Sequence, residues 1–108
     1  MFNLFKSAPK AYEDLDGKTF REKYESTPKA KLLDVRTPGE FASGTIKGAK
    51  NLDITSPQFQ TAIKTMDKTE PYFLFCRSGA RSGNASKLMA DQGFKVYNLS
   101  GGIGAWPK

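Results

Sequence analysis

The sequence contains no histidine and one cysteine, Cys76. These two scarcities exclude much chemistry: Ser-His-Asp and Cys-His triads, histidine-ligated zinc, paired-cysteine redox motifs and any internal disulfide. Long hydrophobic runs are also missing, and none approaches the roughly 18 residues of a membrane-spanning helix. Repeats and low-complexity tracts are absent. The segment Met1-Phe2-Asn3-Leu4-Phe5-Lys6 has no signal-peptide apolar stretch, so with a lone thiol the expected home is a reducing cytoplasm. No metal and no cofactor is implied by the residues.

What is there is a chain of 108 residues, 38% hydrophobic and 26% charged, the size and composition of one soluble domain with one core. Residues 1–10 read as an N-terminal extension and the candidate flexible part, its Phe2, Leu4 and Phe5 folded back on the domain or, alternatively, touching a membrane or partner. Residues 11–108 form the domain itself. The formal charge is +6 and uneven: from Cys76 onward there are five basic residues and one acid. That excess points to small anions near the thiol. No nucleic-acid motif accompanies it, and a nucleic-acid partner is not expected.

Helical and strand signals alternate. Thr19-x-x-Glu22 reads as a capping box with Phe20 and Tyr24 on one helix face. Lys31 to Val35 is a buried strand, and Thr37-Pro38-Gly39-Glu40 opens a capped helix. Ala49 to Leu52 is a brief strand. Ser56-Pro57 begins another helix, with Phe59, Ile63 and Met66 facing inward. Tyr72-Phe73-Leu74-Phe75 has the continuous apolar character of a central parallel strand. Arg81 to Gln92 is helical with Gly93 as its left-handed stop, Val96 to Leu99 is the last strand, and Gly101-Gly102 turns the chain. Strands separated by helices predict a mostly parallel sheet with helices on both faces, and in such sheets ligands bind at the carboxyl ends of strands.

Cys76 stands at such an end. The segment Cys76-Arg77-Ser78-Gly79-Ala80-Arg81-Ser82 joins a buried strand to a helix, where unpaired N–H groups and the helix dipole make an anion cradle. The same field favours a thiolate, so Cys76 reads as a nucleophile activated without imidazole, its loop mouth open to substrate. The plain alternative is a small buried hydrophobe. Asp34 and Arg36 are supporting candidates. Asp34 and Arg36 read as a strand-end ion pair, with Arg36 expected to pair with Glu40 and Asp34 alternatively holding Arg81; the Arg81 fork is expected on loop carbonyls or Asp34, and Arg77 is expected to face solvent. Trp106 reads as a core plug, with its glycines serving the turn.

The Cys76 loop resembles that of the rhodanese family of sulfurtransferases, where a cysteine opens a Cys-x-x-Gly-x-Arg-Ser type loop. Asp34-Val35-Arg36 with Glu40-Phe41, then Gly44, Ile46, Gly48, Ala49 and Asn51, is similar to the family's first block. Gly101-Gly102-Ile103-Gly104-Ala105-Trp106 is similar to its closing block. Thr45 departs from the pattern, standing where many relatives have histidine.

The resemblance implies an α/β rhodanese-like fold with a five-stranded sheet. It also implies a persulfide on Cys76, a small anionic sulfur donor such as thiosulfate, and an external thiol or protein acceptor, since no second cysteine can resolve turnover. The terminal helix of longer relatives is expected to be only a turn. Two other functions share parts of this pattern. A cysteine-dependent phosphatase or arsenate-handling enzyme places five residues between Cys and Arg, whereas four separate Cys76 from Arg81. A non-enzymatic sulfur carrier or interaction module of the same fold would look identical in sequence.

Overall fold

The computed structural model describes residues 11–108; the reading of residues 1–10 lies outside them. The order is β1 (Glu13–Leu15), α1 (Gly17–Ser26), β2 (Lys31–Asp34), α2 (Pro38–Ser43), β3 (Lys50–Asn51), α3 (Phe59–Lys64), β4 (Tyr72–Phe75), α4 (Ala80–Asp91) and β5 (Val96–Leu99), then a 3₁₀ turn, Ile103–Ala105. The strands form one sheet in the order β1-β5-β4-β2-β3, and every pairing is parallel. β4 is therefore the middle strand, buried along its whole length. No helix among the described residues is long and apolar enough to cross a membrane.

Period-two alternation divides the side chains between two cores. On one face Leu33, Leu74 and Val96 meet Phe59 and Ile63 of α3 and Ala85 and Met89 of α4. On the other, Leu32, Phe73, Phe75, Tyr97 and Leu99 pack against Phe20 of α1, with Ile103, Ala105 and Trp106 closing the layer. Aromatic contacts fix this second core. Phe73 stacks on Tyr97 at 4.7 Å between centroids and meets Phe20 edge-on at 5.4 Å, arrangements each worth about 0.5–1.5 kcal/mol beyond area burial.

Several local expectations need correction. The cap of α1 is Asp16, whose carboxylate accepts from the Thr19 N–H at 2.8 Å; the helix starts before Thr19, because an aspartate three residues earlier already satisfies that donor. The Thr37 capping box is present with both reciprocal bonds. Helix α3 begins at Phe59 rather than at Ser56-Pro57. Ser56 instead accepts from the Gln58 N–H at 3.1 Å in a tight turn, and Met66 lies beyond the helix end. Strand β1 had no periodic signal: it is a three-residue edge strand with two exposed residues. Trp106 is a half-buried lid, set edge-on to Phe20 with the Arg21 guanidinium 5.0 Å from its ring.

The closing glycines do more than turn the chain. Gly102 has φ +77, and a Cβ there would lie 1.9 Å from the Arg77 carbonyl oxygen. Next to it the Ile103 N–H donates to the Cys76 carbonyl at 2.8 Å. The closing segment is thus the back wall of the loop after β4. Gly102→Ala is expected to cost at least about 2 kcal/mol, from positive φ and backbone overlap together. Gly104→Ala, where a Cβ meets nothing within 4 Å, should stay within about 0.5 kcal/mol; urea midpoints of the two variants check the contrast.

Candidate active site

Cys76 follows the last residue of β4, and α4 starts at Ala80 with Gly79 as its cap in the left-handed region at φ +99. A Cβ at Gly79 would come 3.1 Å from the Gly101 nitrogen and 3.3 Å from the Leu99 carbonyl oxygen. Glycine at this position lets the chain reverse tightly and bring its own N–H back onto the cysteine sulfur. That N–H donates to Cys76 Sγ at 3.1 Å, and the Ser82 hydroxyl lies 3.4 Å from the same sulfur. Burial pushes the thiol pKa up. The hydroxyl and backbone N–H of Ser82, with the N–H groups of Gly79 and Ser78, outweigh it and bring the thiol below its ordinary value.

The loop residues lie between β4 and the start of α4, and the exposure of Cys76 differs from expectation. Cys76 is 0% exposed and belongs to the core cluster with Val35 and Leu74. The open mouth expected from sequence is closed. Cys76 is core-packed, as the plain alternative expects, and at the same time lies under the Gly79 N–H. Arg77, Ser78 and Ala80 are exposed above it. A groove of about 460 Å³ between Tyr24, Lys31, Lys50 and Tyr72 opens elsewhere, at the starts of β2 and β4 and so at the opposite end of the sheet from Cys76.

The strand-end ion pair is the reading of Asp34 that holds, and the expected Arg36–Glu40 pairing is not made. Arg36 binds Asp34, with Nη2 to Oδ2 at 2.7 Å and Nε to Oδ1 at 2.9 Å, and does not pair with Glu40. Arg81 binds neither Asp34 nor loop carbonyls. Its two terminal nitrogens clasp the Glu40 carboxylate at 2.7 and 3.0 Å. Asp34 and Arg36 are two residues apart and so share one side of an extended chain, whereas Glu40 on α2 faces the first turn of α4. Asp34 raises the Arg36 pKa further, mainly by hydrogen bonding, and the Arg81 guanidinium, with the Thr37 N–H, takes Glu40 down to about 2.

Residues outside the candidate set complete the frame. Asn51 donates to the carbonyls of Asp34 and Arg36, both at 2.9 Å, clamping the chain where it leaves β2. Thr45 donates to Asp34 Oδ2 at 2.9 Å, so the residue that departs from the family pattern serves the buried pair. Asn98 donates to the Gly79 carbonyl at 3.3 Å. A polar residue inside an otherwise apolar strand was the available signal for Asn98.

The two pairs differ in their consequences. Asp34 and Arg36 are buried, with side chains 0% and 8% exposed, so Arg36→Met, which strands the carboxylate, is expected to cost about 3–5 kcal/mol. Glu40 acts through pH. A carboxyl held below its ordinary value adds stability above that value and loses it as pH falls from 4.5 toward about 2. Glu40→Gln is expected to flatten the stability profile in that window, as urea unfolding across the range would show.

A rhodanese-like domain family model matches residues 16–108. The chain is 33% identical over 96 residues to a protein of Allochromatium vinosum named Sulfurtransferase, covering 88% of each. It is 38% identical over 79 residues to a thiosulfate sulfurtransferase of Stutzerimonas stutzeri, covering 71% of this chain and 70% of that one. The crystal structure of a rhodanese-like domain protein from Staphylococcus aureus superposes with a TM-score of 0.76 at 25% identity, over 89% of this chain and 92% of that chain.

Proposed function

The chain belongs to the rhodanese-like domain family of sulfurtransferases, and on that premise we propose that it moves sulfane sulfur through a persulfide on Cys76. The observation that carries this reading is the sulfur of the chain's only cysteine lying under the Gly79 N–H at 3.1 Å, with the Ser82 hydroxyl beside it. In the first half-reaction the Cys76 thiolate attacks the outer sulfur of thiosulfate. A sulfur–sulfur bond forms to Cys76, the bond to the sulfonate sulfur breaks, and sulfite leaves with its electron pair. The charge of the persulfide left behind is on its outer sulfur, and in this reading the N–H groups of the loop receive it.

In the second half-reaction an external nucleophile, cyanide or a thiolate, attacks the outer sulfur and departs as thiocyanate or a persulfide, restoring the Cys76 thiolate. No other cysteine exists to take that sulfur internally. Arg77, exposed at the outside of the loop, attracts the sulfonate of the donor. Ser78, Gly79, Ala80 and Ser82 frame the anion, Arg81 shapes the loop through Glu40, and Asp34 with Arg36 supports the neighbouring strand end. This reading takes the cytoplasm as its setting.

The phosphatase alternative is disfavoured by the same geometry. A phosphate-binding arginine must offer its fork to the oxyanion, and both ends of the Arg81 fork are engaged by Glu40. The measurement is thiocyanate formation from thiosulfate and cyanide. Wild-type protein should produce it, Cys76→Ser should fall to background, and Arg77→Ala should raise KM for thiosulfate several-fold with the melting temperature unchanged. Transfer by Cys76→Ser would overturn the reading.

A further inference from the structure

Gly79 supplies the N–H on the sulfur, yet glycine is the residue least able to hold its own dihedral angles. Something else must fix it. Its carbonyl accepts the first hydrogen bond of α4, from the Gly83 N–H at 2.9 Å, and a second, lateral one from Asn98 Nδ2 at 3.3 Å. Asn98 is 3% exposed on β5 and faces the α4 side of the sheet, as its alternation with Val96 and the closeness of Gly83 to its Nδ2 require.

The same Nδ2 donates to Asp14 Oδ1 of β1 at 2.9 Å. A carboxylate only accepts hydrogen bonds, so Asp14 dictates which end of the amide faces it, and with that the end that faces Gly79. The opposite end is left over. Asn98 Oδ1 is buried without a hydrogen-bond partner among the described residues.

We propose that Asn98, oriented by Asp14, is a positioning residue for sulfur transfer: its amide holds the Gly79 carbonyl so that the Gly79 N–H stays directed at Cys76. This rests on the persulfide chemistry proposed above. An exposed acid on the sheet edge thereby governs the cysteine through a single amide. The charged groups around the loop, Arg77, Arg81 with Glu40, and Asp34 with Arg36, are separate from this relay.

Two variants test it, read by the pH dependence of Cys76 alkylation with iodoacetamide and by the rate of sulfur uptake from thiosulfate. Asn98→Leu removes the lateral bond while Gly79 keeps its helix bond and the orphaned oxygen disappears, so melting should stay within about 4 °C of wild type. Its alkylation midpoint should rise by about 0.5 pH unit or more, with slower uptake. Asp14→Lys presents a donor to the amide, turning Oδ1 toward itself and against the Gly79 carbonyl.

The sign in Asp14→Lys is diagnostic. Exchanging an acid for a base lowers a thiol pKa by charge alone, whereas the relay raises it. Should Asn98→Leu not fold, Asp14→Lys decides by itself. A midpoint unchanged in Asn98→Leu, including one accompanied by a large loss of stability, overturns the proposal, as does a midpoint that stays or falls in Asp14→Lys. Wild-type protein that takes up no sulfur would instead defeat the persulfide reading, and the midpoint comparison would still judge the relay.

Discussion

The contact between the Gly79 N–H and the Cys76 sulfur is the constraint around which this domain is arranged. To make it, the chain must turn back within three residues of a buried strand and start a helix at once. Such a turn cannot be stable alone, because its carbonyls and its left-handed glycine need external partners. Those partners come from distant elements: Ile103 takes the Cys76 carbonyl, Asn98 takes the Gly79 carbonyl, and Glu40 holds Arg81 in the first turn of α4. Central placement of β4 between β5 and β2 gives the loop a firm structure on every side.

Burial opposes a thiolate at Cys76, and the loop meets that opposition with dipoles. Removal from water disfavours a thiolate, but N–H groups and a hydroxyl fixed by the fold replace the lost hydration and bring the thiol below its ordinary value. No imidazole is required. The guanidinium groups contribute differently: Arg81 and Arg36 are tied to carboxylates that shape the site, which leaves Arg77 as the cation that the proposed donor meets.

Much of this was legible in the sequence because it is local. Tyr72 to Phe75 has the continuous apolar character of a strand buried on both faces, the Thr37 box announces its helix, and Cys76 with Gly79 and Arg81 displays the strand-loop-helix junction. β1 was not legible, since Glu13-Asp14-Leu15 is held by pairing with Tyr97 to Leu99 and carries no periodicity of its own. Of the readings for the charged residues, the Asp34 strand-end ion pair is present, whereas the expected Arg36–Glu40 and Asp34–Arg81 pairings are replaced by Glu40 with Arg81. Glu40 and Arg81 are 41 residues apart, and only the packing of α2 beside α4 brings them together. The Asp34 and Arg36 pair did have a signal, the two-residue period of an extended chain. The closed loop mouth was illegible because burial of a cysteine depends on residues distant in sequence, such as Val35 and Met89 of the same core.

The central claim is that this loop holds an anionic sulfur on Cys76, and intact-mass measurement tests it most directly. Incubation with thiosulfate should add one sulfur atom to the protein, cyanide should remove it, and Cys76→Ser should show neither change. A wild-type mass that stays constant across thiosulfate and persulfide donors would contradict the account.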